Sequence, residues 1–191
     1  MTLPTFLLRC SVRWLGAAAF ASAAWLVAPG EAAAESIIKS PDDHPKYSWE
    51  LEPHLNLGLF GRGVFHRGRS RGRGNDADWG AGFRATPIIV DPGFIKTLNN
   101  TVGITFGVDV ASCRYCDAQL FIPVGMQWNF YVAPEWSVFG EVGGLLRTDA
   151  VDVWPDLMLQ AGGRWHFSES MALTMRAGYP WFSVGVSFFV D

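Results

Sequence analysis

The sequence predicts an all-β protein, a closed antiparallel up-and-down transmembrane barrel of about eight strands. Three observations carry this. Segments of matching length recur in which apolar and polar residues alternate, the two-residue period of a strand with two unlike faces. Several connections between them are too short for anything but antiparallel neighbours. The polar face holds mixed acids and arginines, where a water-facing sheet would use lysine freely.

The composition agrees. The 191 residues carry a formal charge of -3, with 49% hydrophobic, 14% aromatic and 17% charged residues, 21 Gly and 9 Trp. One domain is expected, too apolar for disorder and too poor in charge for a usual soluble enzyme.

Residues 1–34 read as a secretory signal peptide that is removed. Arg9 and Arg13 precede an uncharged run from Trp14 to Val27, and Ala32, Ala33 and Ala34 offer a small-residue cleavage site. That run is short of the ~20 residues needed to span a bilayer as a helix. Cys10 follows Arg9 and precedes the apolar run, the wrong order for a lipoprotein anchor. Cleavage leaves 13 basic and 17 acidic residues, so bulk charge gives no nucleic-acid signal. Residues 35–46, with Pro41 and Pro45, read as a short tail, and residues 47–191 as the barrel.

The longest uncharged stretch of the mature chain, Ala118 to Pro134, contains Pro123, Gln127 and Asn129 and is no spanning helix. Membrane entry therefore requires a barrel, the other structure that satisfies every backbone polar group in hydrocarbon. Strands are expected at Trp49 to Leu59, Trp79 to Val90, Thr101 to Ala111, Gln119 to Tyr131, Trp136 to Arg147, Asp156 to Phe167, Met171 to Gly178 and Phe182 to Val190. In the third, Val102, Ile104, Phe106, Val108 and Val110 oppose Thr101, Gly103, Thr105, Gly107 and Asp109. Pro87 makes the second the least regular. Tight connections fall at Val132 to Glu135, Ser168 to Ser170 and Tyr179-Pro180.

The polar face carries Glu50, Glu52, Asp109 and Glu141 against Arg84, Arg147, Arg164 and Arg176, with Gln127, Asn129 and Gln160 between them. Four acids balanced by four arginines suit a narrow interior where ions must pair. Gly103, Gly107, Gly125, Gly143 and Gly185 share that crowded face. The mature chain keeps only Lys39, Lys46 and Lys96, all outside the clearest strands. Trp49, Trp79, Trp128, Phe130, Trp136, Trp165, Phe167, Phe182 and Phe188 lie on the apolar face near strand ends, where interfacial girdles sit.

The run Met126 to Gly144, MQWNFYVAPEWSVFGEVGG, and the closing segment Gly162 to Val190, GGRWHFSESMALTMRAGYPWFSVGVSFFV, resemble the small eight-stranded outer-membrane barrels of the OmpA and OmpX type. The resemblance covers residues 47–190 and has no catalytic signature. It implies the bacterial outer membrane, insertion by the barrel-insertion machinery, and termini and short turns facing the periplasm. External loops would then fall near residues 61–78, 112–118, 148–155 and 179–181, with a long periplasmic turn from Asp91 to about Asn100. The chain departs from such barrels by ending Phe189-Val190-Asp191 instead of on an aromatic residue.

The first external loop holds Arg62, Arg67, Arg69, Arg71 and Arg73, whose guanidinium forks suit phosphate. Lipopolysaccharide head groups or another surface polyanion are the expected partners, against the plainer reading of a solvated loop. Cys113 and Cys116 have the spacing of a redox pair or a metal half-site. A loop-tying disulfide is the simplest account in an oxidising compartment, with free thiols the alternative. His54 and His166 are expected to face inward among Glu50, Glu52 and Arg164. No Gly-rich phosphate loop, HExxH or GxSxG is present, so no catalytic, cofactor or metal site is assigned.

The expected role is a non-enzymatic outer-membrane barrel, monomeric and without a wide pore, that supports the envelope or presents loops to ligands, with no nucleic-acid partner. Two alternatives stand: an outer-membrane enzyme that modifies lipid A, and a soluble periplasmic barrel that binds an apolar ligand.

Overall fold

The computed structural model describes residues 36–58, 78–113, 116–148 and 153–191. They form eight strands: β1 (Trp49–Gly58), β2 (Asp78–Val90), β3 (Asn100–Cys113), β4 (Cys116–Ala133), β5 (Trp136–Thr148), β6 (Val153–Ser168), β7 (Met171–Tyr179) and β8 (Phe182–Val190). Each pairs antiparallel with its neighbours in sequence order, and β1 pairs with β8, from Trp49 against Val190 to Leu57 against Phe182. The ladder therefore closes on itself and leaves no unpaired edge. Among the described residues no helix is long and apolar enough to cross a membrane, which says nothing of crossing by strands.

The short connections fix the register. Ala133 pairs with Trp136 across a two-residue turn, and Ser168 with Met171 across another. Register decides which face points inward, because a slip of one residue would turn every side chain over. Burial alternates along β1 and β5 accordingly, with Glu50, Glu52, His54 and Asn56 of β1 and Ser137, Phe139, Glu141, Leu145 and Arg147 of β5 facing in.

Strand ends extend the sequence expectation by a few residues. β4 begins at Cys116 and β6 at Val153, each three residues before the expected start. β2 forms in full despite Pro87, which lies opposite Trp49 near the strand's end. Its ladder with β3 shifts register between Ile88 and Val90. The connection from Asp91 to Asn99 is the long turn anticipated there.

The inner face is narrow. Gly125 and Gly143 stand opposite each other on β4 and β5. A Cβ added to Gly125 would lie 2.7 Å from the Val142 carbonyl oxygen and 2.8 Å from the Met158 methyl, so position 125 has no room for a side chain unless its neighbours shift.

Candidate functional site

The candidate site is the lumen, which is layered along the barrel axis. Its middle is ionic. Arg164 of β6 donates from Nε and Nη2 to Glu50 of β1 at 2.8 and 2.7 Å. Gln127 and Ser187 complete Glu50 at 3.0 and 2.7 Å. Arg176 of β7 bonds Glu52 and, at 3.1 Å, Glu141, whose other oxygen accepts from Arg84 at 2.9 Å. Arg164 and Arg176 both lie over the Phe139 ring, 4.1 and 4.9 Å from its centroid. That ring face suits two cations that have left water.

Toward β3, His54 Nε2 donates to Asp109 at 2.6 Å and Asn56 to the same oxygen at 2.8 Å. The second nitrogen of His54 faces the Glu52 carbonyl at 3.2 Å. His54 was expected near Glu50, Glu52 and Arg164; the structure gives it Asp109 and Glu52.

One end of the lumen is apolar. Phe121, Leu145, Met158 and Trp181 form a buried cluster, Phe121 and Trp181 meeting edge to face at 4.7 Å. Arg147 sits above it, 5.2 Å from the Phe121 centroid and 3.4 Å from Asp156 Oδ2, which also accepts from the Tyr179 hydroxyl. Asp156 is an inward acid that the sequence reading did not count. With it, Glu50, Glu52, Asp109, Glu141 and Asp156 stand against four arginines among the described residues, with His54 hydrogen-bonded to Asp109.

The other end is closed by aromatic rings and by the tail. Tyr131 of β4, His166 of β6 and Phe189 of β8 are buried there. His44 stacks on Tyr131 at 4.4 Å, and Tyr47 meets Phe189 at 4.5 Å. Burial pushes the Tyr47 phenol well above its ordinary range, the neighbouring Tyr131 and Glu50 adding to the effect. Asn99 orients His44: its amide nitrogen donates to the Asp43 carbonyl at 2.6 Å, so its oxygen accepts from His44 Nδ1 at 2.6 Å.

Asp42, His44 and Asp91 bring three potential metal-ligating atoms within 4.8 Å of one another. The Lys46 ammonium lies among them, bonded to Asp42 and 3.1 Å from Asp91, and supplies the positive charge the carboxylates attract. The Lys46 hydrogen bond and charge hold Asp42 below the ordinary carboxylate value. Partial burial works to lower Lys46, but the hydrogen bonds and charges of Asp42 and Asp91 outweigh it and raise Lys46.

The structure also joins Ser137 to His166, Oγ to Nε2 at 2.9 Å, a pair the sequence reading did not name. The ladder sets Ser137 opposite Arg164 on β6, which places it two residues from His166 along that strand. His166 Nδ1 has no hydrogen-bond partner among the described residues, so no carboxylate orients the ring as a serine nucleophile requires.

Arg62, Arg67, Arg69, Arg71 and Arg73 lie outside the described residues, as does the segment read as a leader. The ladder pairs the backbones of Cys113 and Cys116, whose side chains are also outside that set.

No family model matches the chain, and no curated protein is significantly similar to it. What the fold defines is a small eight-stranded closed antiparallel barrel.

Proposed function

We propose that this barrel is an outer-membrane protein with a non-enzymatic role, structural in the envelope or displaying its loops to ligands, and without a wide pore. The observation that carries this reading is its inverted burial. Leu55, Trp79 and Val153 are 66%, 65% and 69% exposed on the outer face, while Glu52 and Asp109 are fully buried inside. In water this arrangement leaves an apolar outer belt without a partner. In a bilayer the belt faces lipid.

The girdle supports the same environment. Trp49, Trp136, Trp165, Phe167 and Phe188 are exposed at the strand ends nearest the tail, and Trp128, Phe130 and Phe94 pack together on that rim. This band would lie at a lipid-water interface. By the same reading residues 1–34 are removed on export, the insertion machinery places a monomer, and the rim with the tail faces the periplasm. Arg62, Arg67, Arg69, Arg71 and Arg73 would then meet lipopolysaccharide phosphate.

Against a soluble carrier stands the character of the lumen, which offers paired ions where an apolar ligand needs hydrocarbon. Against lipid A chemistry stands the Ser137–His166 pair, inward-facing and without an orienting acid.

Fractionation of expressing cells tests the proposal, each fraction run heated and unheated on a denaturing gel. Outer-membrane recovery with a heat-dependent mobility shift is expected. Recovery in the soluble fraction would overturn it.

A further inference from the structure

Residues 36–48 belong to no strand, yet they cross the mouth of the barrel from side to side. At one end the Ile37 amide donates to the Val132 carbonyl at 3.3 Å, and the Ile38 carbonyl accepts from the Asn99 amide at 2.8 Å. At the other end Ser48 joins the seam, donating to the Val190 carbonyl at 3.0 Å and accepting from the Ile88 amide at 2.9 Å. In a ring of eight strands β4 lies opposite the β1–β8 seam. The segment is therefore a diametral span.

Between its anchors it closes an aromatic circuit. His44 stacks on Tyr131, and Tyr131 lies 6.5 Å from His166. His166 stacks on Phe189 at 5.2 Å, Phe189 meets Tyr47, and the Tyr47 hydroxyl returns to that of Tyr131 at 2.9 Å. Two of the five rings come from the segment and three from the barrel. His166 of this circuit also bonds Ser137 and carries the one ring nitrogen at this mouth that has no partner among the described residues.

The fastening differs from what it fastens to. The barrel is held by continuous ladders and buried ion pairs. The segment is held by a few backbone bonds, by the His44 and Tyr47 rings with their hydrogen bonds to Asn99, Asp91 and Tyr131, and by the Lys46 clasp, whose Lys46 and Asp42 side chains are 52% and 61% exposed. Exposed ion pairs contribute ~0–1 kcal/mol and weaken with salt. Weakly held segments open locally while the remainder of a fold persists. Among the described residues the opposite plug has no such detachable part, since Phe121, Leu145 and Met158 sit on strands and Trp181 in the β7–β8 turn.

We infer that residues 36–48 form a releasable strap, clasped by Lys46 to Asp42 and Asp91, whose undocking admits water to the Ser137–His166 pair while the barrel stays closed. The inference rests on the closed barrel and not on its location. A result obtained in detergent is therefore independent of the fractionation outcome.

The test places a thiol beneath the strap. Ser137→Cys is introduced into the full chain with Cys10, Cys113 and Cys116 changed to serine, and its reaction with a small water-soluble maleimide is timed in detergent. Lys46→Ala with His44→Ala should speed labelling at least tenfold and keep the heat-dependent mobility shift. Salt at ~0.5 M should speed labelling of the chain that retains Lys46 and leave the loosened variant nearly unchanged. Equal rates with and without the clasp would overturn the inference, as would loss of the mobility shift on loosening it. Should Ser137→Cys itself fail to close, amide exchange in the unsubstituted chain decides: Lys46→Ala should speed exchange at Asn99 and leave the β4–β5 ladder unaffected.

Discussion

Arg164 and Glu50 meet through two parallel hydrogen bonds, Nε to Oε1 at 2.8 Å and Nη2 to Oε2 at 2.7 Å, although 114 positions of sequence separate them. The forked geometry matches guanidinium to carboxylate, and both side chains are buried. Such a pair specifies one arrangement of β1 against β6, because either member alone would be a buried charge without its partner.

Removing one member should therefore cost more than removing both. Arg164→Met is expected to lower stability by about 3–5 kcal/mol, and Arg164→Met with Glu50→Leu by distinctly less. Urea unfolding in lipid vesicles, followed by tryptophan fluorescence, measures both. A double variant as unstable as the single one would deny the coupling.

Substitutions at two nearby glycines should separate the inner face from the outer. A side chain at Gly125 meets the Val142 carbonyl and Met158, whereas a Cβ at Gly144 has nothing within 4 Å. Gly125→Val should cost about 1–3 kcal/mol or prevent closure, and Gly144→Val should stay within about 0.5 kcal/mol of the parent. The heat-dependent mobility shift and urea midpoints of the two variants check this.

The lipid reading makes a depth-dependent prediction. Val142 lies in the middle of β5 and is exposed outward, whereas Trp136 lies at its end. In vesicles Val142→Arg should cost about 2–4 kcal/mol, while charge at the Trp136 level should cost about 0–1 kcal/mol apart from the lost ring. If both positions accept arginine equally, the belt does not face hydrocarbon.

Strap docking should depend on pH in a defined direction. Asp42 is lowered, so its contribution is present above the ordinary carboxylate value and is lost as pH falls through the lowered one. Lys46 is raised, so its contribution is present below the ordinary ammonium value and is lost as pH rises through the raised one. His44 and Asp91 also face this ammonium. Protection of the Asn99 amide, which bonds Ile38, taken relative to its intrinsic exchange rate at each pH, should fall below about pH 4 and above about pH 10.5. Protection that holds at both extremes would separate the clasp from docking.

The strands and their inward face were legible because a period of two needs only local sequence. Glu50, Glu52, Arg84, Asp109, Glu141, Arg147, Arg164 and Arg176 could be placed by parity once each strand was found. Asp156 shares the parity of Gln160 and Arg164, but its place at the expected start of β6, next to Pro155, left it uncounted. The strap left no local trace. Its partners Asn99, Tyr131 and Phe189 lie far along the chain, and Pro41 and Pro45 read as a plain tail. Ser137 and His166 became neighbours only through the β5–β6 register, which a one-residue slip would have undone.

The seam between β1 and β8 ties completion of the fold to the last strand of the barrel. Strand β1 must keep one flank bare from the moment it emerges until Val190 has been added, more than 130 residues later. A nascent chain stopped before Phe182 would present that flank to any extended peptide nearby. Protection of that flank is therefore gained in one step, when the final strand pairs.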